Sequence, residues 1–295
     1  MNAIRQVLVG TDFSKQARIA ITQAARICQK HGADLKLLHV IDELPPEELV
    51  SREELLESTR QRLHAEIRAA VSVDIAYSVQ VETGKGFVSI IHCARQMKAD
   101  LIVVGAHGEH SFRDHFLGTT AEKLVRKASF PVLVVKQPPR TPYQYRRVLV
   151  PTDFSDESRK ALCIATILAP EANVDLLHVY GGWGESQLGM AGKGQQELER
   201  FRQRTELWAM AAMDEWRQSV DLDKRHVEQH LRKGHPASVI RTFSEERKHD
   251  LVVMGTRGKS ALPHILLGSV AEHALRTVPC DILVVRAGDV FFQAP

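Results

Sequence analysis

Two stretches of this sequence set glycines, a hydroxyl residue and an apolar run in the order that a phosphate site needs. Residues 250–276 read DLVVMGTRGKSALPHILLGSVAEHALR. An apolar run, 251–254, ends at Gly255; Gly258 follows after two residues, and Gly268 and Ser269 after nine more. A helical pattern starts at once, with Val270, Ala271, Ala274 and Leu275 on one side. Ser269 and Glu272 read as a capping box, the hydroxyl accepting from the first turn. Glycines admit a ligand close to the backbone, and a helix N-terminus supplies N–H donors and a partial positive charge. The chemistry is that of an anion cradle.

The cassette recurs at 100–126, DLIVVGAHGEHSFRDHFLGTTAEKLVR, with Gly105, Gly108, Gly118, Thr119, Thr120 and Glu122 at the same spacing. One Gly-x2-Gly is weak evidence, whereas a whole cassette repeated within one chain is much stronger. Two readings stay open. The glycines can cradle a phosphate, or they can serve tight turns with Ser269 and Thr119 as simple caps.

A carboxylate accompanies each cassette. VLVGTDFS carries Asp12 and VLVPTDFS carries Asp153, each after a strand-like run and before a helix start. Each Asp either lines a ligand crevice or only favours the positive end of the helix that follows. His39 and His178, in matching LLHV runs, read as packed or hydrogen-bonded groups rather than ligands or bases. The 14 histidines include His107, His110, His115, His226, His230 and His235, but show no clear metal-ligand spacing, so no metal is assigned. There is no Gly-x4-Gly-Lys-(Ser/Thr), no kinase His-Arg-Asp or Asp-Phe-Gly set and no Gly-x-Ser-x-Gly elbow. No residue is identifiable that would orient a water on a γ-phosphate, so no catalytic residue is assigned.

The elements that must position these groups follow from periodicity. Strands are expected at 7–9, 35–40, 77–81, 101–104 and 132–136. Helices are expected from Ser14 to about Lys30, from 47 to about 71, from 87 to 97, and from Thr119 to about Ala128. Residues 137–147, QPPRTPYQYRR, are rich in Pro and Arg and serve as the linker. The plan then restarts, giving domains at 1–139 and 140–295. The offset between matching residues grows from 141 at Asp12 and Asp153 to 150 at Gly105 and Gly255. Most of the extra length is a glycine-rich insertion after Val179, expected as a mobile surface loop. A helix is expected over 195–219, with Trp208 and Trp216 as packing residues, and 287–295 form a short apolar tail. Alternating strands and helices argue for parallel sheets covered on both faces, with ligands outside the carboxyl ends of the strands where strand order reverses.

Composition excludes several classes. Apolar residues are 44% and charged residues 25%, as in ordinary globular proteins. With 39 basic and 36 acidic side chains, the net charge of +3 is too balanced to imply nucleic acid. No apolar run approaches a membrane span, and the first residues lack a cleavable signal pattern. Cys28, Cys93, Cys163 and Cys280 lie far apart, as expected of reduced thiols in a cytoplasmic protein.

The paired cassettes, the openings VLVGTDFS and VLVPTDFS and the endings FPVLVVK and CDILVVR resemble the universal stress protein family over nearly the whole chain, specifically its ATP-binding branch. The resemblance implies two tandem α/β domains, each a doubly wound, Rossmann-like parallel sheet of five strands in the order 3-2-1-4-5, related by a pseudo-two-fold. It implies that the halves pair through their fifth strands, alone or as a dimer of such chains. It implies ATP, ADP or AMP as ligand, with Mg²⁺ held through the phosphates. In the second half, Asp153 and the Val179 backbone would border adenine, Pro151 and Gly255 would meet ribose, and Gly258, Gly268, Ser269 and the Val270 N–H would hold phosphates. The counterparts are Asp12, Val40, Gly10, Gly105, Gly108, Gly118, Thr119 and Thr120. Lys259 follows Gly258, but Glu109 follows Gly108 and would repel phosphate unless it points to solvent or helps hold a metal ion; the second site is the first choice. The function implied is a nucleotide-binding stress-response regulator with at most slow ATP hydrolysis. The alternatives are a nucleotide-free interaction module and a slow ATPase.

Overall fold

In the computed structural model, the described residues are 4–44, 51–71, 75–108, 117–138, 145–181, 190, 194–218, 227–258 and 267–286. Glu109, Lys259, His110, His115, His226, most of the glycine-rich insertion and the apolar tail lie outside them.

The first repeat runs β1 (Gln6–Thr11), α1 (Lys15–His31), β2 (Asp34–Ile41), α2 (Arg52–Ala70), β3 (Tyr77–Thr83), α3 (Gly86–Gln96), β4 (Leu101–Gly105), α4 (Thr119–Lys127) and β5 (Val132–Val135). The second runs β6 (Arg147–Pro151), α5 (Asp156–Leu168), β7 (Asn173–Tyr180), α6 (Gln195–Gln218), β8 (Val227–Lys233), α7 (Pro236–Glu246), β9 (Leu251–Gly255), α8 (Ser269–Thr277) and β10 (Asp281–Val285). The chain forms two compact units, Met1–Gln144 with Pro279–Pro295, and Tyr145–Val278.

In the first unit the strand order is β3-β2-β1-β4-β5, all parallel, with β10 added antiparallel on β5. Val134 pairs with Ile282, Leu133 with Leu283 and Val132 with Val284. The last strand of the second repeat therefore covers the β5 edge, and the repeats are joined through their fifth strands. The second unit has the parallel order β8-β7-β6-β9. In each unit the first strand pairs with the second on one side and the fourth on the other. That is the reversal point where a crevice opens.

The inner strands are apolar throughout because both faces are covered. Val7, Leu8, Val9, Ile102, Val103, Val148, Leu149, Val150, Val252 and Val253 are fully buried. Each such side chain contributes about 1.5–3 kcal/mol of burial. The outer strand β3 carries Ser78, Gln80 and Glu82, as suits a partly solvated edge. The helix after each first strand starts on a serine: Ser14 accepts from Ala17 N–H and Ser155 from Ser158 N–H. Gly32, in the left-handed conformation at φ 63°, ends α1.

Candidate functional site

The first wall of each crevice is a Thr-Asp-Phe-Ser turn at the end of β1 or β6. Phe13 and Phe154 adopt φ of 65° and 63°. A bulky L-residue pays of order 1–3 kcal/mol there, so other bonds must hold it. Thr11 Oγ1 accepts the Phe13 N–H at 3.1 Å, and Thr152 Oγ1 the Phe154 N–H at 3.0 Å. Asp12 Oδ1 accepts Ser14 N–H at 3.0 Å, and Asp153 Oδ1 accepts Ser155 N–H at 3.2 Å. The histidine at the end of the second strand braces the turn. His39 Nδ1 lies 2.8 Å from the Thr11 carbonyl and His178 Nδ1 2.8 Å from that of Thr152. A carbonyl only accepts, so Nδ1 carries the proton in both. Burial pushes the His39 pKa down, outweighing the Thr11 bond, and keeps the ring neutral. The Phe13 and His39 ring centroids are 4.4 Å apart, and those of Phe154 and His178 4.2 Å. Both histidines are packed and hydrogen-bonded, as their apolar surroundings suggest.

The second wall is the glycine cassette, which meets that turn directly. A Cβ on Gly108 would lie 2.7 Å from Asp12 Oδ2, and one on Gly258 would lie 2.6 Å from Asp153 Oδ2. A side chain at either glycine would push the aspartate carboxylate aside. The ends of the cassette meet behind it: Gly118 N–H donates to the Ala106 carbonyl and Gly268 N–H to that of Thr256, each at 2.7 Å. The first glycines have another reason to be glycine. A Cβ on Gly105 would stand 3.0 Å from the Gln16 backbone, and one on Gly255 2.8 Å from Glu157 Cβ, so both let the strand end pack on the following helix. Gly10 likewise faces Ile90.

The helix starts differ from the capping-box expectation. Gly118 and Gly268 are the N-caps, Thr119 and Ser269 are the first helical residues, and no side chain caps either helix. The hydroxyls are one position too late to fold back onto the first turn. Among the described residues, these N-termini therefore present their leading N–H groups without a side-chain acceptor. Thr119, Thr120 and Ser269 are exposed and Val270 half-buried. Val40 and Val179 sit half-buried near the ends of β2 and β7, and Pro151 ends β6. Within each unit these residues belong to the first-strand turn, the end of the second strand, or the cassette and its helix.

The second loop has a support that sequence spacing did not reveal. Buried Glu157 accepts from the Arg257 N–H at 2.7 Å, the Thr256 hydroxyl at 3.2 Å and Arg257 Nε at 3.1 Å. In the first unit the matching residue is Gln16, whose amide donates instead to the Val135 carbonyl. These residues are about a hundred positions apart in sequence, and no local pattern connects them. A second difference lies on α6: Trp216 is buried as a packing residue, but Trp208 is 57% exposed, edge-on to Phe154 and His178.

The family model described as the universal stress protein family matches residues 3–136 and 144–286. A universal stress protein of Methanocaldococcus jannaschii is 32% identical over 155 residues, 48% of this chain and 82% of that protein. Universal stress protein E of Escherichia coli K12 is 23% identical over 317 residues, covering all of this chain and 97% of that protein. Among solved structures, a universal stress protein of Archaeoglobus fulgidus superposes with a TM-score of 0.68 at 21% identity, over 96% of this chain and 98% of that one.

Proposed function

Since the chain belongs to the universal stress protein family, through a match to both of its repeats, we propose that it binds ATP or another adenine nucleotide and acts as a nucleotide-dependent regulator or interaction module in the stress response. The carrying observation is a helix N-terminus without a side-chain cap, following a glycine cassette whose second glycine meets an aspartate at the end of the first strand, twice in one chain. In the second unit, Gly258, Gly268, Ser269 and the Val270 N–H hold the phosphates. Asp153 and the Val179 backbone border adenine, and Pro151 and Gly255 border ribose. Asp12, Val40, Gly10, Gly105, Gly108, Gly118, Thr119 and Thr120 form the weaker first site.

Each charge-assisted bond to a phosphate contributes about 1.5–3 kcal/mol, and three or four, offset by ordering costs, support micromolar affinity, about −8 kcal/mol. Mg²⁺ would be held mostly by the phosphates and water. The second unit is favoured because Glu157 holds Thr256 and Arg257, at the start of the cassette, before ligand arrives, which lowers the ordering cost. Nucleotide acts by binding one conformation or partner-competent state more tightly than another. Hydrolysis is at most slow, and the protein works in the cytoplasm, with each repeat, 1–139 and 140–295, forming a functional domain and the whole chain able to dimerise.

The test is to denature freshly purified protein and identify released small molecules by chromatography with mass detection, alongside Gly268→Val and Gly118→Val. Near one equivalent of ATP or ADP, lost only in Gly268→Val, is the expected result. Loss divided between both variants means two working sites. No nucleotide, and no binding when ATP and Mg²⁺ are added back, removes the proposal and leaves the cassettes as turns.

A further inference from the structure

The second unit holds a polar cluster on the opposite end of its sheet from the crevice. Asp175 is the third residue of β7, Glu228 and His230 lie on β8, and Arg247 and His249 lie between α7 and β9. Asp175 and His230 are buried and His249 is fully enclosed, with 0% of its side chain exposed. We propose that His230, Asp175 and Glu228 form a divalent transition-metal site, of the kind Zn²⁺ takes, in which Arg247 is the resident counter-cation that the ion displaces.

The donor atoms are already gathered. His230 Nε2 donates to Asp175 Oδ1 at 3.0 Å, a proton that the ion must displace and release to solvent, and it lies 3.7 Å from Glu228 Oε2; the three ligand atoms lie within 4.8 Å of one another. Zinc bonds of about 2.0–2.1 Å in a tetrahedron put neighbouring donors about 3.3 Å apart, between these two distances. One imidazole nitrogen with two carboxylates suits Zn²⁺ and disfavours Mg²⁺, which prefers oxygen donors and water.

The other oxygen of the aspartate is held separately. Asp175 Oδ2 faces His249 Nε2 at 2.8 Å and Arg247 Nε at 2.9 Å. A carboxylate oxygen only accepts, so His249 carries a proton on Nε2 and donates it to Oδ2. It thereby fixes the carboxylate with Oδ1 turned to His230, the orienting role that partners of metal ligands perform. Phe243 walls the cluster, its ring centroid 4.9 Å from that of His230 and 5.7 Å from that of His249.

Arg247 reveals what the cluster requires. Its guanidinium bridges Asp175 and, at 2.7 Å, Glu228. One guanidinium thus stands against two carboxylates. A divalent ion on His230 Nε2, Asp175 Oδ1 and Glu228 Oε2 shares the Glu228 oxygen with that guanidinium and competes with it there. The arginine side chain is 37% exposed and can withdraw to solvent, whereas Asp175, His230 and His249 cannot. The first repeat puts Lys36 at the position of Asp175, Gln80 at that of His230 and Ala99 at that of His249, and there Lys36 Nζ donates to Gln80 Oε1 at 3.3 Å. The ligand set belongs to the second repeat alone.

The experiment uses the full chain, stripped with a chelator at pH 7.5, titrated with Zn²⁺ by calorimetry and with Co²⁺ by visible absorption. One equivalent is expected, with affinity reduced at least about tenfold in Asp175→Asn and His230→Gln. Glu228→Gln, on a side chain 61% exposed, does the same without threatening the fold. Arg247→Ala is expected to bind Zn²⁺ about tenfold more tightly, because the competing cation is gone, and to recover with Zn²⁺ the thermal stability it loses without it. A purely structural ion-pair cluster would show the loss of stability but no gain in affinity. The proposal is overturned if no Zn²⁺ binds, if binding is unchanged in Glu228→Gln and His230→Gln, or if Arg247→Ala binds no better than the wild-type protein.

Discussion

Thr152, Phe154 and His178 show how single residues fix the crevice wall. A phenylalanine in the left-handed region is unfavourable alone, yet it occurs at the same place in both units. Its amide is held by a threonine hydroxyl, its ring lies against a histidine, and that histidine donates to the threonine carbonyl. The strain turns the chain so that the aspartate meets the second glycine of the cassette. The neutral state of His39 has a consequence for pH. Its folded pKa is depressed by burial below the ordinary 6.5, so the unfolded chain binds more protons just below that value. Stability is then complete above about pH 6.5 and declines as pH falls from there toward the folded pKa. Urea unfolding at pH 7.5 and 5.5 should show this loss in the wild-type protein and a smaller loss in His39→Gln.

Helices α4 and α8 separate the ligand reading from the cap reading at the scale of an element. α1 and α5 begin with serines that accept from their own first turn; α4 and α8 begin at glycine, with the hydroxyl one residue later. A capping serine replaced by alanine costs about 1 kcal/mol. Ser269 does no such work in the structure, so Ser269→Ala should change unfolding free energy by less than about 0.5 kcal/mol. Loss of a phosphate contact should still weaken ATP binding by about tenfold, or 1.4 kcal/mol. Thermal unfolding and calorimetric titration of the same variant check both halves of this expectation. A marked loss of stability with unchanged affinity would return Ser269 to the role of a cap.

For the whole molecule, the decisive contact is β10 on β5. A four-residue apolar edge such as Val132–Val135 invites pairing with other chains, and the last strand of the second repeat occupies it. Leu133 and Leu283 face each other in the register and are both fully buried. Leu283→Asp places a carboxylate where nothing can solvate it, and a loss of at least about 4 kcal/mol is expected. Size-exclusion chromatography and limited proteolysis should show aggregation and cleavage after the second unit. A monodisperse, protease-resistant variant would mean that the edge is protected by something other than β10.

Much of this architecture was readable from the chain alone. The two cassettes, the TDFS and LLHV runs and the FPVLVVK and CDILVVR endings repeat in order, and such periodic apolar patterns specify strands, helices and their sequence locally. Local rules also located the turn that carries Asp12 and Asp153 and the glycines that meet it. They misplaced the caps of α4 and α8, because whether glycine or the next hydroxyl residue becomes the N-cap depends on where the Gly118 and Gly268 amides find their carbonyls, twelve positions earlier in the chain. Glu157 under the second loop and Asp175 between His230 and His249 were invisible for a related reason, whereas the pairing of the fifth strands was expected and only its register, Leu283 opposite Leu133, was not. Those partners lie about 55 to 150 positions apart, and hydrogen bonds and ion pairs between them carry no sequence period. The sequence specified which elements form, since periodicity and local propensity act over a few residues. Which distant polar groups share a buried site was decided only by the tertiary structure, because desolvation forces such groups to find partners wherever the packed strands bring them together.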